Sequence, residues 1–241
     1  MKLFLTSNIG ATIHRNGLRI PGQIDNHWGF LTRFKETVKS TKQMIYISSS
    51  PENNERVSDW FDNTIAALDK AKIHFERNIL VNAQNAILLG ELIGQSDVVF
   101  LSGGHLPTQN QFFQDIKLKT QLSNFNGVIV AQSAGSMNCA GTVYVCPELP
   151  GESVDSNFQR FRPGLGITDI NIIPHYNDNR ELILDEKKFY EEIVAPDTFQ
   201  IPLYVLSDGA YFYIHDKETE AFGEIYLFKE GKWEQISGFT S

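Results

Sequence analysis

Apolar residues along this chain fall into two spacings that alternate. Residues 3–7, 44–50, 97–102 and 127–132 are β-branched or apolar runs too short for helices, each closing on small or polar residues. Residues 28–40, 58–72, 84–93 and 109–122 carry apolar side chains at helical spacing, with polar residues between them. Strands apolar at every position are buried on both faces, and strands separated by helices are joined by crossovers. The pattern predicts βαβ units: an α/β fold with a mainly parallel sheet and helices on both faces, as one domain over residues 1–241. The last part changes character. Residues 202–205, 210–214, 224–229 and 232–236 are strand-like and Lys229-Glu230-Gly231-Lys232 reads as a hairpin turn, so antiparallel strands are expected towards the C-terminus.

Composition narrows the function. Twenty-one Lys and Arg against 29 Asp and Glu leave a net charge of −8, and the basic residues form no run, which argues against a nucleic-acid partner. No apolar stretch reaches membrane-spanning length, and the run after Met1 is too short for a signal peptide, so a cytoplasmic protein is expected. Cys139 and Cys146 lack metal or redox spacing and read as buried thiols in a reducing compartment; neither metal nor cofactor is expected.

The segment from Gly127 to Ala140 runs a strand into Ala131-Gln132-Ser133-Ala134-Gly135 and then into a helical pattern. Small residues around a serine at such a corner make a nucleophile elbow, with the Ala134 amide placed to donate to an oxyanion. The same serine could simply cap a helix. After the preceding strand, Ser102-Gly103-Gly104-His105 offers Gly104 as a second oxyanion donor, and equally a plain βα turn. Of six histidines, His175 stands where an apolar run gives out, and Asp208 stands before a glycine at another strand end. Ser133 as nucleophile, His175 as base and Asp208 as its orienting acid give a triad in the order Ser, His, Asp. The α/β-hydrolase order would instead require His215, which lies in a polar, hairpin-like segment.

Taken together, Ser102-Gly103-Gly104, Gln132-Ser133-Ala134-Gly135, Ile173-Pro174-His175-Tyr176 and Leu206-Ser207-Asp208-Gly209 resemble the peptidase E and cyanophycinase family of serine peptidases, from Lys2 to the Asp208 turn. The resemblance implies a fold similar to the class I glutamine amidotransferase domain, with serine replacing the cysteine nucleophile. It also implies catalytic roles for Ser133 and His175, an acid at Asp208 and an oxyanion hole at Gly104 and Ala134. The chain departs from the family in its shortened glycine run and in Ala131, where glycine is usual. Peptidase E releases an N-terminal aspartate from dipeptides and cyanophycinase cuts a β-aspartyl-arginine polymer, so the resemblance implies an acidic short-peptide substrate. A cation must then meet the aspartyl carboxylate. Arg160, Arg162, Arg180 and Lys187 are the candidates, Lys187 falling near the family's arginine; Glu148 is a candidate for the substrate amine and His105 for lining the pocket. Two other readings stay open: a non-catalytic binding domain on the same fold, and an α/β-hydrolase-like esterase. So does a homodimer.

Overall fold

The computed structural model describes residues 1–52 and 54–236. Strands β1 (Lys2–Thr6), β2 (Gln43–Ile47), β3 (Arg77–Val81), β4 (Val98–Leu101) and β5 (Val128–Gln132) run parallel. Together with two later strands they form a seven-stranded sheet. The second, smaller sheet begins with β6 (Ile172–Ile173) and β7 (Leu203–Leu206). Next in the chain, β8 (Tyr211–His215) and β9 (Glu218–Phe222) join the first sheet antiparallel on the free side of β1, giving the order β9-β8-β1-β5-β4-β2-β3. Finally β10 (Ile225–Lys229) and β11 (Lys232–Gln235) complete the second sheet in the order β6-β7-β10-β11.

Register explains the nearly continuous apolar runs of the four inner parallel strands, β1, β2, β4 and β5. Leu3, Ile129, Val99 and Ile45 align across β1, β5, β4 and β2 and point to one face. There they meet Leu92 of α3 (Leu89–Gly94), Phe112 and Phe113 of α4 (Leu106–Asp115) and Leu118 and Leu122 of α5 (Leu118–Leu122). Their sequence neighbours Phe4, Val130, Phe100 and Tyr46 point to the other face. That face is covered by Phe30 and Phe34 of α1 (Phe30–Thr37) and Ala67 and Leu68 of α2 (Glu55–Lys70). Each such side chain stabilises the fold by about 1.5–3 kcal/mol on full burial. The expected α/β fold, with a mainly parallel sheet between two helical layers and antiparallel strands towards the C-terminus, is the fold observed.

The departures are local. The helix expected over residues 109–122 breaks at Lys117, whose φ of 52° is left-handed, although the apolar spacing continues across the break. Residues 84–93 give a short 3₁₀ turn before α3, and Ile87 stands 92% exposed. Strands β3 and β9 have no counterpart in the apolar pattern because both are sheet edges, buried on few positions.

Helix α6 (Ala134–Asn138) has only five residues, all of them buried, and follows β5 directly. A Cβ at Gly135 would lie 2.4 Å from the Leu101 carbonyl oxygen and 2.7 Å from that of Ser102, so only glycine lets α6 pack against the end of β4. Gly135→Ala should lower the melting midpoint by several degrees, through overpacking worth about 1–3 kcal/mol. Gly94→Ala, whose Cβ would meet nothing within 4 Å, should leave it unchanged or raise it.

Candidate active site

The carboxyl ends of β1, β4 and β5 open on the same edge of the parallel sheet, the edge where ligands gather in open α/β folds. Ser133 follows β5 with φ 50° and ψ −118°, a sparsely populated conformation for a residue with a side chain. Its amide donates to the Thr6 carbonyl at 3.0 Å. Ser136, buried one turn later, accepts from the Thr6 amide at 2.9 Å and places its hydroxyl 2.8 Å from both the Thr6 and Ala131 carbonyls. These bonds clamp the corner to β1.

His175 follows β6 in the left-handed region, φ 60°, and opens the short helix α7 (Tyr176–Asn179). Its Nε2 lies 3.0 Å from Ser133 Oγ and its Nδ1 2.8 Å from Asp208 Oδ1. With Asp208 ionised, Nδ1 carries the ring proton and Nε2 is free to accept from the serine hydroxyl. Asp208 is held in turn by Ser7, whose hydroxyl donates to Oδ1 at 2.7 Å, and by Asn8, whose side-chain amide donates to Oδ2 at 3.1 Å. Ser7 Oγ also accepts from the His175 amide at 2.9 Å. Partial desolvation opposes ionisation of Asp208. The bond and charge of His175, with the donors Ser7 and Asn8, outweigh it and hold the carboxyl below its ordinary value. Sequence reasoning passed over Ser7 and Asn8; the available signal was their place at the carboxyl end of an apolar strand, Leu3-Phe4-Leu5-Thr6-Ser7-Asn8.

A cavity of about 660 Å³ opens over this group and is lined by Ser133, His175, Gly104, Ala134, His105 and Glu148, among others. Gly103 and Gly104 bring the loop after β4 against the serine. A Cβ at Gly103 would approach Ser133 Cβ to 3.2 Å, and one at Gly104, φ 154°, would overlap Ser49. His105 is exposed, with Nδ1 2.7 Å from the Thr108 hydroxyl. Desolvation in the cavity pushes the Glu148 carboxyl up, against the opposing charges of His105 and His175.

The four candidate cations do not line this cavity. Arg160 pairs with Asp197 at 3.2 Å and lies 3.4 Å from the Tyr144 hydroxyl. Arg162 stands in the strand Phe161–Pro163, and its Nε is buried without a hydrogen-bond partner. Lys187 sits in a two-residue strand, Lys187–Lys188, and Arg180 follows α7, where its charge acts on Glu224. The arginine that does line the cavity is Arg56 of α2, which sequence reasoning did not single out. His215 ends β8, bonded to Glu220 at 2.8 Å and outside the cavity lining.

Cys139 and Cys146 are buried free thiols, and burial pushes both pKa values up. Asp178 completes, with His175 and Asp208, a group of three potential metal ligands whose donor atoms lie within 4.8 Å of one another. In that group His175 Nδ1 and Asp208 Oδ1 are already bonded to each other. Among the described residues no helix is long and apolar enough to cross a membrane.

The fold has known counterparts. The chain is similar to the crystal structure of a peptidase from an acI-B1 Actinobacterium, with a TM-score of 0.66 and 15% identity over 98% of this chain and 93% of that one. It is also similar to a putative peptidase E protein from Listeria monocytogenes EGD-e, with a TM-score of 0.62 and 15% identity over 91% of this chain and 96% of that one. No curated protein matches it. The model of peptidase family S51 matches residues 29–222. The chain thus belongs to peptidase family S51, and it is a serine peptidase.

Proposed function

We propose that this peptidase hydrolyses amide bonds of short peptides through Ser133, His175 and Asp208, with preference for an acidic N-terminal residue. The observation that carries the reading is the unbroken line of hydrogen bonds from Ser133 Oγ through both ring nitrogens of His175 to Asp208 Oδ1. His175 Nε2 takes the serine proton as Oγ attacks the scissile carbonyl carbon, and returns it to the leaving amine when the C–N bond breaks. Asp208 keeps the ring in the required tautomer and stabilises the imidazolium that forms. The amides of Gly104 and Ala134, both on the cavity wall, stabilise the oxyanion. Water then attacks the acyl-serine with His175 as base, releasing the N-terminal residue. Glu148, in the same cavity, receives the substrate ammonium, and His105 lines the site beside it. The acidic preference comes from the family resemblance.

Ser133→Ala should reduce kcat/KM on the best dipeptide by about 10³-fold or more with the fold intact, and His175→Ala nearly as much. Asp208→Asn should keep the fold and cost less than Ser133→Ala, but still orders of magnitude, because an asparagine there can donate to Nδ1 and favour the wrong tautomer. His215→Ala should leave turnover near wild type. A comparison of Asp-Leu with Ala-Leu tests the acidic preference; equal kcat/KM values would remove it and leave the hydrolytic mechanism standing.

Asp208 also sets a pH dependence. Its folded-state pKa lies below the unfolded value of about 3.9, so its contribution to stability is present above that pH and is lost as the pH falls through the folded-state pKa. The melting-point advantage of wild type over Asp208→Asn should be full at neutral pH and shrink in acid below about pH 4. Ser7→Ala removes one donor from the carboxylate. In an NMR titration Asp208 should then ionise at higher pH than in wild type, and kcat should fall about tenfold. Unchanged titration in that variant would show that the Ser7 hydroxyl does not act on Asp208.

A further inference from the structure

One wall of the cavity plays no part in the chemistry described so far. Arg56, Trp60 and Thr64 of α2, Tyr46 of β2 and His14 form it. The guanidinium carbon of Arg56 lies 4.6 Å from the centroid of the Trp60 ring, within cation–π range. Trp60 in turn reaches the glycine loop beside Ser133, since a Cβ at Gly104 would sit 3.4 Å from Trp60 Cζ3. The indole therefore spaces Arg56 from the oxyanion loop and holds it over the cavity. Arg19 and Arg160 each have a carboxylate at 3.2 Å, but no described carboxylate lies within 4.0 Å of Arg56. In a chain of net charge −8, this is a cation kept without an acid partner in the cavity that holds Ser133.

The same cavity carries an opposite charge elsewhere. Glu148 lines it beside His105 and His175, and no ion pair within 4.0 Å joins it to Arg56, so neither charge neutralises the other by direct contact. A short peptide has the matching pattern, an ammonium at one end and a carboxylate at the other, with the scissile bond between. A planar guanidinium can grip both oxygens of a carboxylate at once. About 660 Å³ is the size of a small-molecule site and limits how long a peptide can be held at both ends.

We propose that Arg56, supported by Trp60, binds the C-terminal carboxylate of the leaving residue, so that the cavity reads a short peptide from both ends. This rests on the assignment of Ser133 and Glu148 given above, and the test separates the two. Hydrolysis of Asp-Leu, Asp-Leu amide and Ala-Leu is compared in wild type, Arg56→Gln and Arg56→Lys. Arg15→Gln serves as a control, since Arg15 does not line the cavity. Wild type should favour the free acid over the amide about tenfold or more, the scale of a charge-assisted hydrogen bond. Arg56→Gln should bring that ratio close to one, Arg56→Lys should restore part of it, and Arg15→Gln should keep it.

Binding of the same peptides to Ser133→Ala, with and without Arg56→Gln, is measured by calorimetry and needs no turnover. Preference for the free acid in binding, lost with Arg56→Gln, sustains the carboxylate site even if wild type cleaves none of the peptides, an outcome that would sink the hydrolytic reading alone. Cleavage of acid and amide at equal rates overturns the carboxylate site and leaves hydrolysis intact. An Arg56→Gln loss equal on all three peptides would mean that Arg56 only packs on Trp60, and a loss that follows the aspartyl side chain would place the wrong carboxylate there; either result overturns the proposal. So does failure of Ser133→Ala to bind any of the peptides.

Discussion

A single hydroxyl, that of Ser7, joins three distant parts of the chain at the site. It donates to Asp208, accepts from the His175 backbone amide, and stands at the end of β1, whose last residue, Thr6, accepts the amide of Ser133. The three proposed catalytic side chains come from β5, β6 and β7, strands of two different sheets, and β1 is where their supports meet. A hydroxyl suits this position because it can donate to the carboxylate and accept from the amide at once. Alanine would leave the His175 backbone amide without this acceptor and take one of the two donors from Asp208 Oδ1.

The fold is arranged to tolerate strain at that junction. Ser133 and His175 both take positive φ angles, each costing on the order of 1–3 kcal/mol. The rows of apolar residues aligned through β1, β5, β4 and β2 hold the strand ends, while the glycines at 103, 104 and 135 let the loop after β4 and helix α6 close around the serine. At Gly104 and Gly135 a side chain would collide with Ser49 or with carbonyl oxygens of β4 and its loop, so the small residues of the elbow answer to local geometry as well as to chemistry.

Much of this was legible in the sequence, for physical reasons. Buried parallel strands are apolar at every position, so β1, β2, β4 and β5 stand out, whereas the edge strands β3 and β9 present half-exposed faces and leave no run. Ser133, His175 and Asp208 could be read because each stands where an apolar strand gives way to polar or small residues. The cations could not. Their sequence neighbours do not reveal that Arg160 is occupied by Asp197, or that α2 begins at Glu55, ahead of its apolar pattern, and so carries Arg56 to the cavity. The break at Lys117 was hidden for a related reason: apolar residues on both sides of it remain buried, and the pattern continues through a change in backbone direction.

Activation of Ser133 by His175, oriented by Asp208, is the step on which the proposed chemistry rests. Its most direct test is the rate and site of reaction with a fluorophosphonate, followed by intact mass and peptide mapping. One adduct per chain on Ser133 is expected, formed at least about a hundredfold more slowly in His175→Ala and absent in Ser133→Ala. Labelling at another residue, or an undiminished rate in His175→Ala, would contradict it.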